Sequence, residues 1–114
     1  MVVDADKKDY INVEDALRRI GGNADLYKRL LTRFIAGDNI EVLEAALLSG
    51  NMEESANLVH TLKGVSANLS LIGIRSASID LEHTLKDGSD FSADLAKLKE
   101  VFAKTVEIII EVTK

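Results

Sequence analysis

His60 stands in the run Val59-His60-Thr61-Leu62-Lys63-Gly64-Val65-Ser66-Ala67-Asn68-Leu69, which apart from its glycine reads as a strong helix. A glycine inside a helix costs about 1 kcal/mol relative to alanine. Side chains four apart share a helix face, so Gly64 removes the one that would crowd His60. Lys63 puts a positive charge beside the same imidazole. That combination suits a phosphoryl acceptor. A nucleophilic imidazole must keep one ring nitrogen unprotonated and open, while a partner on the other fixes the tautomer. A compact ammonium meets the phosphoryl oxygens. Gly64 and Ala67 make the surface flat enough for another protein's active site to approach.

A lone histidine on a polar face is an ordinary surface residue, and the chain carries its own control. His83-Thr84-Leu85-Lys86-Asp87-Gly88 nearly repeats the string, with a lysine three residues on. Its fourth position is Asp87, which would repel a phosphoryl group and occupy the approach. The second string reads as a coincidence on a solvated face. Gly64, rather than the histidine-lysine spacing, carries the argument. Other chemistries lack their residues. There is no glycine-rich phosphate loop. The two histidines are too far apart in sequence to ligate one metal from a helix turn, so no metal site is expected. No cysteine is present, which excludes thiolate chemistry and disulfides and fits a cytoplasmic location. The net charge of −5 argues against nucleic-acid binding through phosphates. No apolar run approaches the ~20 residues needed to span a bilayer.

The elements that must position His60 are helices. Proline is absent and only seven glycines break the 114 residues, which favours an all-α chain. Residues 1–11 read as a flexible N-terminal arm and 12–114 as one helical bundle. Asn12 caps a first helix, with Ile11 placed to staple onto Ala16. That helix ends at Gly21-Gly22. Asn23 caps the second, whose apolar face is Leu26, Leu30, Leu31, Phe34 and Ile35. Gly37-Asp38-Asn39 is a bend, and a third helix runs to Gly50. Asn51 caps the fourth, with Glu54 in the capping-box position, and the pattern carries it to about Leu71. On it Leu58, Leu62, Val65 and Leu69 fall within about 60° of one another, with His60 on the opposite side. Gly73 opens the fifth helix, with Ile74, Ala77, Ser78, Leu81 and Leu85 buried. The sixth starts near Asp90 or Ser92 and buries Leu95, Leu98, Phe102, Val106 and Ile109. The predicted architecture is an antiparallel four-helix bundle with one or two additional short N-terminal helices, the first lying across one end.

The segment His60-Thr61-Leu62-Lys63-Gly64, with Ser66, Asn68 and the small-residue turn from Ser70 to Gly73, resembles the signature of histidine phosphotransfer (HPt) domains. The resemblance runs from about Val13 through Gly88. Ala67 and Ser70 stand where that family often has glycine. The resemblance implies that His60 is phosphorylated through Nε2, that Lys63 offsets phosphate charge and that Gly64 leaves access. It further implies that Glu82, one helix later, holds the other imidazole nitrogen. Ala56, Asn57, Ala67, Asn68 and an exposed Leu71 are expected to form the docking face. The implied partners are response regulator receiver domains and a hybrid sensor histidine kinase. Mg²⁺ would be supplied by the receiver, with no cofactor bound by this chain. The chain is then a monomeric phosphocarrier and not an enzyme. The rival reading is a helical module that docks on a receiver or kinase without carrying phosphate.

Overall fold

The computed structural model describes residues 3–37 and 39–114, so the expected bend is described except at Asp38. Six α-helices follow a short 3₁₀ turn at Ala5–Lys7. They are α1 (Val13–Arg19), α2 (Ala24–Ala36), α3 (Asn39–Leu48), α4 (Met52–Asn68), α5 (Ile72–Asp87) and α6 (Ser92–Val112). Three asparagines start helices as their positions predict. The Oδ1 atoms of Asn12, Asn23 and Asn51 accept the backbone N–H of Asp15, Leu26 and Glu54 at 3.0, 3.0 and 3.1 Å. Asn51 also donates to the Glu54 carboxylate at 3.1 Å, a variant of the reciprocal capping box. At the other end of α5, Gly88 takes the left-handed conformation, φ 68°, and closes the helix.

Short turns between α3, α4, α5 and α6 make sequence neighbours antiparallel, and α4–α5 and α5–α6 form the most extensive contacts. The core runs from Tyr27, Leu31 and Phe34 on α2 through Leu43 and Leu47 on α3 to Val59, Leu62, Ile74, Leu81, Leu98 and Ile109. Phe34 and Phe102 join α2 to α6 with ring centroids 5.6 Å apart. The all-helical bundle with extra N-terminal helical structure is therefore as the sequence predicts.

Three details differ. First, α4 ends at Asn68, short of Leu71. Leu71 is the residue before α5 and is wholly buried. Second, the buried face of α4 is Ser55, Val59, Leu62 and Ser66, while Val65 is 38% exposed. The stripe is rotated by about 60° from the one the leucines suggest. Serine can occupy it because each hydroxyl donates to a carbonyl one turn back, Ser55 to Asn51 and Ser66 to Leu62, both at 2.7 Å. No buried hydroxyl of α4 is then left without a partner, and small side chains let the neighbouring helices approach.

Third, the N-terminal arm contacts the bundle through Lys7, Tyr10 and Ile11, although Asp4, Ala5, Asp6, Lys8 and Asp9 are exposed. Ile11 is 1% exposed, and the Tyr10 carbonyl accepts the Gly73 N–H at 3.3 Å. Lys7 pairs with Glu111 at 2.7 Å. A Cβ at Gly73 would stand 3.0 Å from Val101 and 3.3 Å from the Asp9 carbonyl, so the arm passes where only glycine leaves room. Among the described residues, no helix is long and apolar enough to cross a membrane.

Candidate functional site

His60 sits near the middle of α4 on the face opposite the core, and 72% of its side chain is exposed. Antiparallel packing brings α5 alongside, and Glu82 reaches back across the seam. Its Oε2 lies 3.2 Å from His60 Nδ1 and its Oε1 accepts from Lys63 Nζ at 2.8 Å. Only 11% of the Glu82 side chain is exposed, against 29% of Lys63. One carboxylate thus spans the imidazole and the ammonium, and the third member of the trio is nearly hidden beneath the first.

The Lys63 hydrogen bond holds the Glu82 carboxyl below the ordinary carboxylate range, with the His60 contact and the nearby Lys63 and Lys86 charges adding to it against partial burial. The group therefore stays ionised. An ionised carboxylate has only acceptors to offer, so Nδ1 presents its proton to Oε2. In the neutral ring the lone pair is then on Nε2, which faces solvent. The arrangement is an oriented, open nitrogen nucleophile backed by a fixed negative charge.

Gly64 lies one turn from His60. A Cβ there would meet nothing within 4 Å, and its backbone is ordinary helix. Gly21, Gly22, Gly50 and Gly88 each hold a positive φ, and Gly73 is crowded. Gly64 answers to neither demand. The folded chain itself gives no reason to omit a side chain at this position.

Of the docking residues expected from the sequence, Ala56, Asn57 and Asn68 are exposed and Ala67 is half-buried, all on α4. Leu71 does not belong to that face. The helix stops three residues earlier, and the chain turns Leu71 into the core at 0% exposure. Ser70 causes the turn. Its φ is 56°, the left-handed region that glycine enters freely, and its Oγ donates to Asp15 Oδ2 at 2.7 Å. Asn12 N–H to the Ser70 carbonyl, at 2.9 Å, and Arg19 to the Ala67 carbonyl, at 3.3 Å, complete the attachment of α1 to this end of α4. His83, the internal control, is exposed. The sequence pattern alone does not predict the pairing of Lys63 with Glu82. The only sequence signal for it is the α4–α5 register, which becomes visible once the turn is known. Among the described residues no group of acidic or histidine side chains is placed to hold a metal ion.

A family model described as Hpt domain matches residues 29–108. The chain belongs to the Hpt domain family. The match spans α3, α4 and α5 whole, most of α2 and most of α6, and contains His60, Lys63, Gly64 and Glu82. Comparisons with curated proteins and with solved structures give no significant match. Membership gives this Hpt domain a histidine phosphotransfer role in phosphorelays, as a carrier working with receiver domains and kinases.

Proposed function

We propose that His60 is the phosphoacceptor of this Hpt domain, receiving the group from a receiver-domain phosphoaspartate or a sensor kinase and passing it to a receiver aspartate. The observation that carries the reading is the Glu82 carboxylate bound at once to His60 Nδ1 and Lys63 Nζ beneath an exposed Nε2. Nε2 attacks phosphorus in line. A P–N bond forms, the P–O bond to the aspartate breaks, and the carboxylate leaves with its electron pair. The ring keeps its Nδ1 proton and becomes cationic, and Glu82 already faces that charge. Lys63 maintains positive charge beside the incoming group. Positioning and electrostatics account for most of such a transfer.

Both Glu82 oxygens are engaged, so the donor set at His60 does not suit a divalent cation. Mg²⁺ required for transfer would belong to the receiver. The chain acts as a monomeric carrier in the cytoplasm, with the catalytic groups of each transfer on its partner. The test is phosphoryl transfer from a panel of phosphorylated receivers to wild type and to His60→Gln. Acid-labile, base-stable phosphate on wild type alone is the expected result. Phosphate on His60→Gln would refute the site. Binding without transfer to wild type would favour the docking-only module.

A further inference from the structure

Among the described residues, the buried serine and threonine side chains are Ser55, Ser66, Ser70, Ser78 and Thr105. Ser55, Ser66 and Thr105 each donate to the carbonyl one turn back at 2.7 Å, and Ser70 donates to Asp15 at 2.7 Å. Ser78 is 0% exposed, and its Oγ has no partner among the described residues. The Ile74 carbonyl, one turn back on α5, would offer it the bond that the others take. A buried hydroxyl left unpaired is destabilising, and alanine would fill the position without that penalty. The resting fold therefore gives the Ser78 hydroxyl no task. We propose that Ser78 is a positioning residue that acts through Glu82 once His60 is phosphorylated. Lys63 turns from Glu82 to the phosphoryl oxygens, and the Ser78 hydroxyl donates to the carboxylate oxygen that Lys63 leaves. The inference rests on the phosphocarrier reading and adds to it a residue that the unphosphorylated site does not use.

Position is the first argument. Ser78 precedes Glu82 by one turn of α5, about 6 Å along the axis and about 40° around it, so the two share a face. Helical side chains lean toward the N-terminus, which tilts Glu82 over Ser78. Because α4 and α5 are antiparallel, residues that follow His60 on α4 lie beside residues that precede Glu82 on α5. The order along the seam is His60 with Glu82, then Lys63, then Ser66 with Ser78. Ser66 and Ser78 are both wholly buried. The Ser66 hydroxyl is engaged by the Leu62 and Lys63 carbonyls at 2.7 and 3.0 Å. Of the two hydroxyls at that turn, Ser78 is the one available to Glu82.

Charge is the second. In the resting site Glu82 Oε1 accepts from Lys63 at 2.8 Å while Oε2 faces His60 Nδ1 at 3.2 Å. A phosphoryl group on Nε2 places new negative charge three residues from Lys63 on the same helix face, and it draws the ammonium away from the carboxylate. The Glu82 side chain is nearly buried, so an oxygen that loses its donor is left with little access to water. A neutral hydroxyl can take the vacated place without competing with the phosphoryl group for charge. No proton changes owner in the exchange. Glu82 stays ionised, Nδ1 keeps its proton, and Ser78 keeps its own while donating it.

Denaturant unfolding of wild type, Ser78→Ala, Lys63→Met and the double variant tests the exchange without phosphate. Lys63→Met vacates the same Glu82 oxygen while keeping the side chain's bulk. Ser78→Ala should leave the unfolding midpoint unchanged or raised in the wild-type background and should lower it in the Lys63→Met background. A lowered midpoint in wild type, or the same effect in both backgrounds, would overturn the exchange. The second measurement is the equilibrium constant for transfer from a receiver that phosphorylates wild type. Ser78→Ala should lower it about three- to tenfold, the scale of one hydrogen bond. A constant equal to that of wild type, with transfer itself intact, would overturn the role of Ser78 and leave the phosphocarrier reading standing. Failure of every receiver to phosphorylate wild type would remove both.

Discussion

A methyl group added at Gly64 would meet no atom within 4 Å, so the isolated molecule should prefer alanine there. Gly64→Ala is expected to stabilise the fold by about 0.5–1 kcal/mol and to raise the melting temperature by a few degrees. The same substitution should slow single-turnover transfer, and Gly64→Glu should slow it far more through bulk and charge. Melting curves beside transfer rates check both halves. A stabilised variant with unimpaired transfer would sink the access argument. Glu82 supports a second test. Its pKa is lowered in the fold, chiefly by Lys63. Such a carboxylate adds stability above its unfolded value, near 4.5, and loses it as pH falls through the lowered native value. The margin of wild type over Glu82→Gln should therefore be widest near neutrality and shrink on acidification below about pH 4.5, as followed by melting at several pH values. Transfer should fall less in Glu82→Gln, which keeps an acceptor for Nδ1–H, than in Glu82→Ala, which keeps none.

At the scale of elements, helix starts were legible and one helix end was not. Asn12, Asn23 and Asn51 cap because a short side-chain acceptor next to an apolar run has a local, one-dimensional signature. The end of α4 depends on Ser70, a non-glycine residue at φ 56°. Serine carries no such signal, because what holds it is a hydrogen bond to Asp15 on α1, fifty-five residues away in sequence. The misplacement of Leu71 follows directly from that. Val65 is exposed against the sequence pattern for a related reason: Ser55 and Ser66 look polar in sequence yet satisfy themselves on carbonyls of their own helix. His60, Lys63 and Gly64 are legible as a candidate site because they share one helix, and the Glu82 contact with His60 is what the family resemblance implies. The way Glu82 divides its two oxygens required the α4–α5 register. Ser70→Gly distinguishes backbone relief from the lost side-chain bond. Relief of the left-handed strain is worth about 1 kcal/mol, but the Asp15 contact goes with the hydroxyl. The substitution should lower the melting temperature of wild type and raise that of an Asp15→Ala background. The same sign in both backgrounds would show that Asp15 is not what holds the turn.

Across the whole molecule, the His60 face and the N-terminal segment are attached to different sides of the α4–α5 pair. Glu82 meets His60 at one side, while Asp9 and Tyr10 lie against Gly73 at the α5 N-terminus, near Val101 of α6. The family match begins at residue 29, so residues 3–11 and α1 lie outside the matched region, yet they carry core contacts through Ile11, Val13 and Ala16. Ile11→Ala empties a fully buried site and should cost about 2–4 kcal/mol, within the range for such truncations. Gly73→Val places a branched side chain against Val101 and the backbone of Asp9 and Tyr10, none of which is a flexible chain end. It should therefore unseat the segment. Both variants should unfold at lower denaturant concentration. Amide exchange should rise at Ile11 and Asn12 first, because the Asn12 N–H is the link from this segment to the Ser70 carbonyl. Well below the melting temperature, transfer through His60 should remain near that of wild type, since neither residue touches the His60–Glu82–Lys63 trio. A loss of transfer in folded Gly73→Val would mean that the seating of the segment controls the α4–α5 register, and with it the reach of Glu82 to the imidazole.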